Sequence, residues 1–185
     1  MFDLALRRLT FPAEGIRRDG LLYRLPRAAD IDTVAPAFGD EALAGEANMP
    51  PFSVDQLREQ FDQLPKMLEQ GLLLPLVIAD GATGEIQGGC VMHHFDWEKS
   101  QVEIGYWLFE HARGRGTATK AARFLADYGF LLGAERIEAR VFVGNTASER
   151  VLERAGFTRE GILRSMPRRA GGRADMTVFS LLPGE

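Results

Sequence analysis

Residues 101–132, QVEIGYWLFEHARGRGTATKAARFLADYGFLL, constrain the fold of this chain more than any other segment. A strand-like run ends in a turn with Gly114 and Gly116 on either side of Arg115, and an apolar helical pattern follows at once. On that helix Ala118, Ala121 or Ala122, Leu125, Tyr128 and Leu132 share one face, and Gly133 can stop it. A helix begins with backbone N–H groups that lack intrahelical partners and with a partial positive charge. Glycines there let the backbone approach an anion closely, and Arg113 and Arg115 add charge. The turn reads either as a plain glycine loop or as a phosphate cradle. Its Arg-x-x-Gly-x-Ala spacing, Arg113 to Ala118, matches neither a P-loop nor the dinucleotide fingerprint.

The flanking segments narrow the choice. Residues 72–80, 86–95 and 101–109 read as three strands in two successive hairpins, with turns at 81–85 and 96–100. Antiparallel hairpins ahead of the helix are foreign to a Rossmann unit. Before them stand a strand at 21–26, a helix over 27–40 with Asp30 as its cap, and a helical segment over 53–71 capped by Ser53. In that segment Leu57, Phe61, Leu64 and Leu68 share a face, and Pro65 is expected to kink or restart the helix. Downstream come a strand at 136–143, a helix between an Asn145 cap and a Gly156 stop, and strands at 157–165 and 174–182. Residues 1–20 read as an irregular N-terminal extension. This order predicts one mixed α/β domain over 1–185 and not a doubly wound repeat.

Composition bounds the function. At 185 residues and 20.5 kDa, one domain of this size buries roughly 70% of its unfolded surface. A net charge of -4 and a pI near 5.5 argue against non-specific binding to nucleic acid or anionic membranes. The longest apolar run, residues 71–79, is about half of a membrane span and contains Pro75. The first residues carry charges within their apolar stretch and no cleavage pattern, so no signal peptide is expected and a cytoplasmic location is. Cys90, the sole cysteine, excludes an intrachain disulfide and reads as a buried structural thiol.

Residues 103–125, 136–157, 160–164 and 171–182, taken in order, closely resemble the GNAT N-acetyltransferase superfamily. Within it they are most similar to the ribosomal-protein N-terminal acetyltransferases of the RimJ/RimL type. The resemblance covers residues 72–183 well and the early helices only in kind. The Arg-x-x-Gly-x-Ala turn carries it, together with the Asn145-x-x-Ser148 helix that ends in Ala-Gly-Phe.

The resemblance implies a central, mostly antiparallel sheet, splayed between its fourth and fifth strands and flanked by helices. It implies transfer of an acetyl group from acetyl-CoA to a primary amine by direct attack in a ternary complex, with no metal. Succinyl-CoA or another acyl-CoA remains an alternative donor, and the acceptor is a protein N-terminus or a small molecule. Under this resemblance Arg113, Gly114, Arg115, Gly116, Thr117 and Ala118 bind the pyrophosphate through backbone amides. Tyr106, Trp107 and Leu108 bind the pantetheine arm along their main chain, and Asn145 holds the same arm, although it also suits a helix cap. Ser148 is placed to protonate the leaving thiolate, and Glu103 is the candidate general base. Glu46, Met49 and Phe52, from the loop after the first helix, and His93 and Trp97, from the hairpin, are the expected substrate contacts. Acidic Glu46, Asp96 and Glu98 would attract a cationic amine. His93 and His94 are adjacent on a strand, so they are expected on opposite faces, one within reach of the acceptor. No third ligand stands near them at a metal-binding spacing. A homodimer is compatible with the resemblance.

Two rival classes remain. A protein- or RNA-binding module could use the loop at 164–173, which holds Arg164, Arg168, Arg169 and Arg173. Only that loop is basic, however, and it has no aromatic residue, so nucleic acid is not the expected partner. A non-catalytic acyl-CoA binder is the other class, and the intact turn, Asn145 and Ser148 argue against it.

Overall fold

A computed structural model describes residues 8–169 and 171–185. Among the described residues eight strands form one sheet: β1 (Ile16–Arg18), β2 (Leu21–Arg24), β3 (Leu73–Asp80), β4 (Ile86–Asp96), β5 (Gln101–Leu108), β6 (Arg136–Phe142), β7 (Thr158–Pro167) and β8 (Arg173–Leu181). Their spatial order is β1-β2-β3-β4-β5-β6-β8-β7. Every neighbouring pair is antiparallel except β5 with β6. The α-helices are α1 (Ile31–Gly39), α2 (Glu41–Glu46), α3 (Val54–Glu69), α4 (Thr117–Leu131) and α5 (Thr146–Arg154).

The parallel pair is the break in the sheet. β5 and β6 are joined only from Gln101 opposite Arg136 to Ile104 opposite Ala139. Beyond that point β5 runs on to Leu108, while β6 stays paired with β8 as far as Phe142. Residues 105–108 therefore leave one edge of β5 unpaired inside the molecule. These two strands are the expected fourth and fifth when the count starts at residue 21. The added strand, β1, lies within residues expected to be irregular and pairs with β2 around a turn with Asp19 and Gly20 at positive φ. Three residues are too few to show a period of two.

Strand alternation gives the sheet two different faces. On one, Cys90 and Met92 of β4, Val102 and Ile104 of β5, and Ile137 and Ala139 of β6 pack against Ala121, Ala122 and Leu125 of α4. Cys90 is buried there, and burial pushes its thiol well above its usual range, as expected of a structural cysteine. On the other face Trp107 packs against two smaller clusters, Ala37, Leu43 and Met49, and Ile31, Val34 and Leu57. The indole lies flat on β4 because residue 89 is glycine, where a Cβ would stand 2.6 Å from Trp107 Nε1. Between them these contacts hold the α1–α3 layer over the break.

Local signals held where their partners were local. Ser53 caps α3 in a reciprocal box, accepting from the Gln56 N–H at 3.2 Å while Gln56 Oε1 accepts from the Ser53 N–H at 2.9 Å. Pro65 does not end α3, which runs through to Glu69. Burial of Leu57 and Leu64, both ahead of the proline, helps to offset the lost backbone bond. Asp30 does not cap α1 with its side chain. Its carboxylate instead takes both nitrogens of the buried Arg24, at 2.6 and 2.7 Å, and the Arg27 N–H at 2.7 Å. Burial alone would raise the Asp30 pKa; the Arg24 and Arg27 hydrogen bonds outweigh it and hold the carboxyl below its usual range. The expected helix over 27–40 accordingly divides into a 3-10 turn, Ala28–Asp30, and α1. Among the described residues no helix is long and apolar enough to cross a membrane.

Candidate active site

The turn before α4 is held open at its donors. Gly114 and Gly116 sit at φ 73° and 78°, a left-handed conformation that L side chains resist. Gly116 is the N-cap of α4, no side chain caps it, and no acid stands in the first turn. Among the described residues, the N–H groups from Gly114 to Thr119 make no turn or capping bond. They point a positive helix end at a cavity of about 230 Å³. Its walls include Tyr106, Trp107 and Leu108 on the unpaired edge of β5, with Thr117 and Ala118 of α4 and Asn145 and Ser148 at the start of α5. Arg113 reaches across it, its Nε donating to the Leu108 carbonyl at 3.3 Å.

α5 closes the far wall. Asn145 Oδ1 accepts from the Ser148 N–H at 3.1 Å, so this side chain does cap the helix. Its Nδ2 donates at 3.5 Å to the Glu46 carbonyl and faces the same cavity. Tyr106 Oη donates to the Ser148 carbonyl at 3.3 Å, bridging the break from β5 to α5. Burial raises the pKa of this phenol and keeps it protonated. Sequence reasoning assigned Tyr106 only a main-chain role; the strand's period hides a contact that spans 42 residues.

A charged cluster occupies the other face, one residue out of phase with that cavity. The β4–β5 register sets His93 opposite Glu103. A bulge between His93 and Asp96, with His94 at φ 51°, turns the second imidazole back toward the first. The two rings meet edge to face, 4.5 Å apart, and the expectation of opposite faces fails because the strand is not regular there. His94 Nδ1 lies 3.0 Å from Glu103 Oε2, and Arg140 Nε lies 3.5 Å from the same oxygen. Burial lowers the pKa of His93 to about 4, with Glu103 pulling the other way, so at neutral pH this ring is uncharged; among the described residues its Nδ1 has no hydrogen-bond partner. The pairing also supplies the third ligand type that the sequence spacing lacked, since ligand atoms of His93, His94 and Glu103 lie within 4.8 Å of one another. The Arg140 guanidinium sharing the carboxylate oxygen disfavours a metal cation and suits a site that moves protons.

The expected substrate contacts divide. His93 joins Glu103, as described. Glu46 lines the cavity near α4 instead, 3.8 Å from Arg113. Met49 is 8% exposed and packs with Ala37 and Leu43. Phe52 packs into the α1–α3 cluster, its ring 5.9 Å from Phe38. Trp97 stacks on Phe95 at 5.3 Å and packs against the main core. An apolar residue in a loop is free to join the core, as Met49 does, while Phe52 and Trp97 are half-buried against it. Arg115 is exposed and does not line the cavity, although its neighbours do. Missed were Leu43 of α2 and Ala47 just after it, Val151 one turn beyond Ser148, and Arg140 and Arg169 near Glu103 and His93. Only Val151, at i+3 from Ser148, had a signal in the sequence.

Known proteins match this architecture. The acetyltransferase (GNAT) domain family matches residues 20–158. The "Uncharacterized N-acetyltransferase p20" of Bacillus licheniformis is 32% identical over 174 residues, 93% of this chain and 98% of that one. A crystal structure of a "Probable acetyltransferase" superposes with a TM-score of 0.81 at 27% identity, over 91% of this chain and 96% of the other. Mycobacterium smegmatis RimJ in complex with CoA-disulfide shares the fold, with a TM-score of 0.78 at 24% identity over 92% and 84% of the two chains. A split sheet, an uncapped helix end beside it and this family match leave one conclusion: the chain belongs to the GNAT acetyltransferases, which transfer an acetyl group from acyl-coenzyme A to an amine.

Proposed function

We propose that the two faces divide the reaction: coenzyme A is held along the break and at the start of α4, and the acceptor amine arrives on the face of Glu103. The residues fit acetyl-CoA. The N–H groups from Gly114 to Thr119 suit a pyrophosphate, and the free edge of β5 from Gly105 to Leu108 suits the amides of the pantetheine arm. When bound, acetyl-CoA supplies a thioester carbonyl for the amine to attack.

The chain's own groups supply the rest. An ammonium has no lone pair, so a base must take its proton first. Glu103 is that base, with His94 holding its Oε2 and His93 neutral beside it. Arg140 stands 3.5 Å from the same oxygen and orients the carboxylate from the β6 side. A backbone N–H on the unpaired stretch of β5 donates to the oxyanion that forms as the C–N bond is made. Ser148, on the cavity wall, returns a proton to the departing sulfur. Asn145 anchors α5 and holds the arm through Nδ2. A cytoplasmic setting, with one buried thiol, belongs to the same proposal.

The observation that carries this assignment is the loss of β5–β6 pairing beyond Ile104, directly beside an uncapped helix end. Thermal unfolding with acetyl-CoA, succinyl-CoA, coenzyme A, NAD and ATP tests it. A ligand at about a hundred times its dissociation constant adds roughly 2.7 kcal/mol to stability, a rise of several degrees for a domain of this size. The shift is expected with the coenzyme A series alone, and the better thioester names the donor. Equal shifts with NAD or ATP, or none with coenzyme A, would remove the assignment.

A further inference from the structure

The acids expected to draw a cationic amine are already engaged. Glu46 stands 3.8 Å from Arg113. Asp96 Oδ2 accepts from Lys99 Nζ at 2.5 Å, and Glu98 acts on the same lysine. On the acceptor face itself each carboxylate has a guanidinium. Arg140 lies 3.1 Å from Glu138 and 3.5 Å from Glu103, and Arg136 Nε lies 2.8 Å from Glu138. Arg136 also holds Glu160, at 2.5 Å, so every carboxylate named on that face is already in an ion pair.

Surplus positive charge comes from the β7–β8 hairpin. Its tip bends back over the face that carries Arg140 and Phe142, which share one side of β6 by alternation. Arg168 stacks its guanidinium on Phe142, 5.0 Å from the ring centroid. The Arg169 N–H donates to Asn48 Oδ1 at 2.9 Å, tying the tip to the loop after α2. Through that tie the Arg169 charge comes close enough to act on His93, which stands opposite Glu103. Among the described residues neither Arg168 nor Arg169 is in an ion pair, and both are exposed. Two guanidinium groups outside any ion pair thus belong to a hairpin tip that is tied to Phe142 and Asn48, on the side of the sheet that carries Arg140.

We propose that the acceptor is an amine whose carrier bears an anionic group, a carboxylate or a phosphate, a few bonds from the reacting nitrogen, and that Arg168 and Arg169 bind that group while Glu103 takes the amine proton. This inference rests on the assignment of the Glu103 face to the acceptor. The guanidinium fork matches either anion bidentately, so the chemistry common to both is what the site reads. A polyamine, with a second ammonium in place of the anion, would meet two like charges and is a poor acceptor.

Coenzyme A release from acetyl-CoA with five probes tests this: β-alanine, β-alaninamide, 1,3-diaminopropane, phosphoethanolamine and ethanolamine. kcat/KM is expected at least about tenfold higher for β-alanine than for its amide or the diamine, or for phosphoethanolamine than for ethanolamine. Which pair shows it separates carboxylate from phosphate. The preference should shrink as salt rises, fall toward one in Arg168→Gln with Arg169→Gln, and reverse in Arg169→Glu. Turnover of the amide, ethanolamine or the diamine at rates equal to or above the anionic probes overturns the inference and leaves the transferase assignment standing. A preference that both arginine variants retain overturns it as well. No turnover of either anionic probe also overturns it, and stabilisation by acetyl-CoA in the same samples then shows whether the transferase assignment survives.

Discussion

The two faces of the sheet break are built from different materials. On the α4 side the functional groups are main-chain amides, displayed by Gly114 and Gly116 at positive φ on an uncapped helix. On the α1–α3 side they are side chains, His93, His94, Glu103 and Arg140, packed close enough to share protons and charge. A main-chain site needs only a backbone conformation, which a few neighbouring residues can specify. A side-chain site needs strands distant in sequence to meet in one register. The first suits a ligand common to many enzymes, and the second suits the substrate that distinguishes one enzyme from another.

Three substitutions test that division. The largest effect is expected from Glu103→Gln, which removes the proposed base and leaves the shape. kcat/KM for the acceptor should fall by about 10²- to 10⁴-fold, while the thermal shift with acetyl-CoA stays as in the parent. A lost thermal shift would mean the faces are not separable. Gly116→Val should do the reverse. A branched side chain in the left-handed conformation, at φ 78°, costs about 1–2 kcal/mol, which corresponds to a roughly 5- to 30-fold weaker interaction with acetyl-CoA in the same assay. Unchanged affinity would show that the glycine serves the loop and not the ligand.

The smallest effect concerns His93 and is read as stability against pH. Burial lowers its pKa to about 4 from the ordinary 6.5. Between those values the unfolded chain holds a proton that the folded chain does not, so folding is weakened as pH falls through that window and is fully favoured above it. In His93→Gln the part of the slope between pH 4 and 6.5 due to this residue should vanish, as read from denaturant midpoints at pH 4.5 and 7. An identical slope in both proteins would mean that the imidazole takes its proton in the folded state.

The residues proposed for coenzyme A were legible in the sequence, and those proposed for the acceptor only half so. The turn, Asn145, Ser148 and the strand 106–108 were named from the chain, and the cavity collects all of them except Arg115. Glu103 and His93 were named too, but not as neighbours. Their meeting depends on the β4–β5 register, and the addition of His94 depends on a bulge of which a strand pattern carries no sign. Met49, Phe52 and Trp97 were named as contacts; Met49 is buried in a core cluster and the other two are half-buried against theirs, since an apolar side chain in a loop looks the same in either role.

The sequence alone determined the elements whose partners are close along the chain. These are the glycine-opened α4, the Ser53 and Asn145 caps, the paired hairpins and the buried thiol. Only the tertiary structure decided where β5 and β6 part, that Asp30 answers Arg24 instead of capping a helix, and that Arg169 reaches the neighbourhood of His93. The reason is range. A cap or a turn is satisfied within four or five residues, whereas register, strand separation and charge pairing are settled by packing between segments tens of residues apart, where a one-residue slip moves every side chain to the other face.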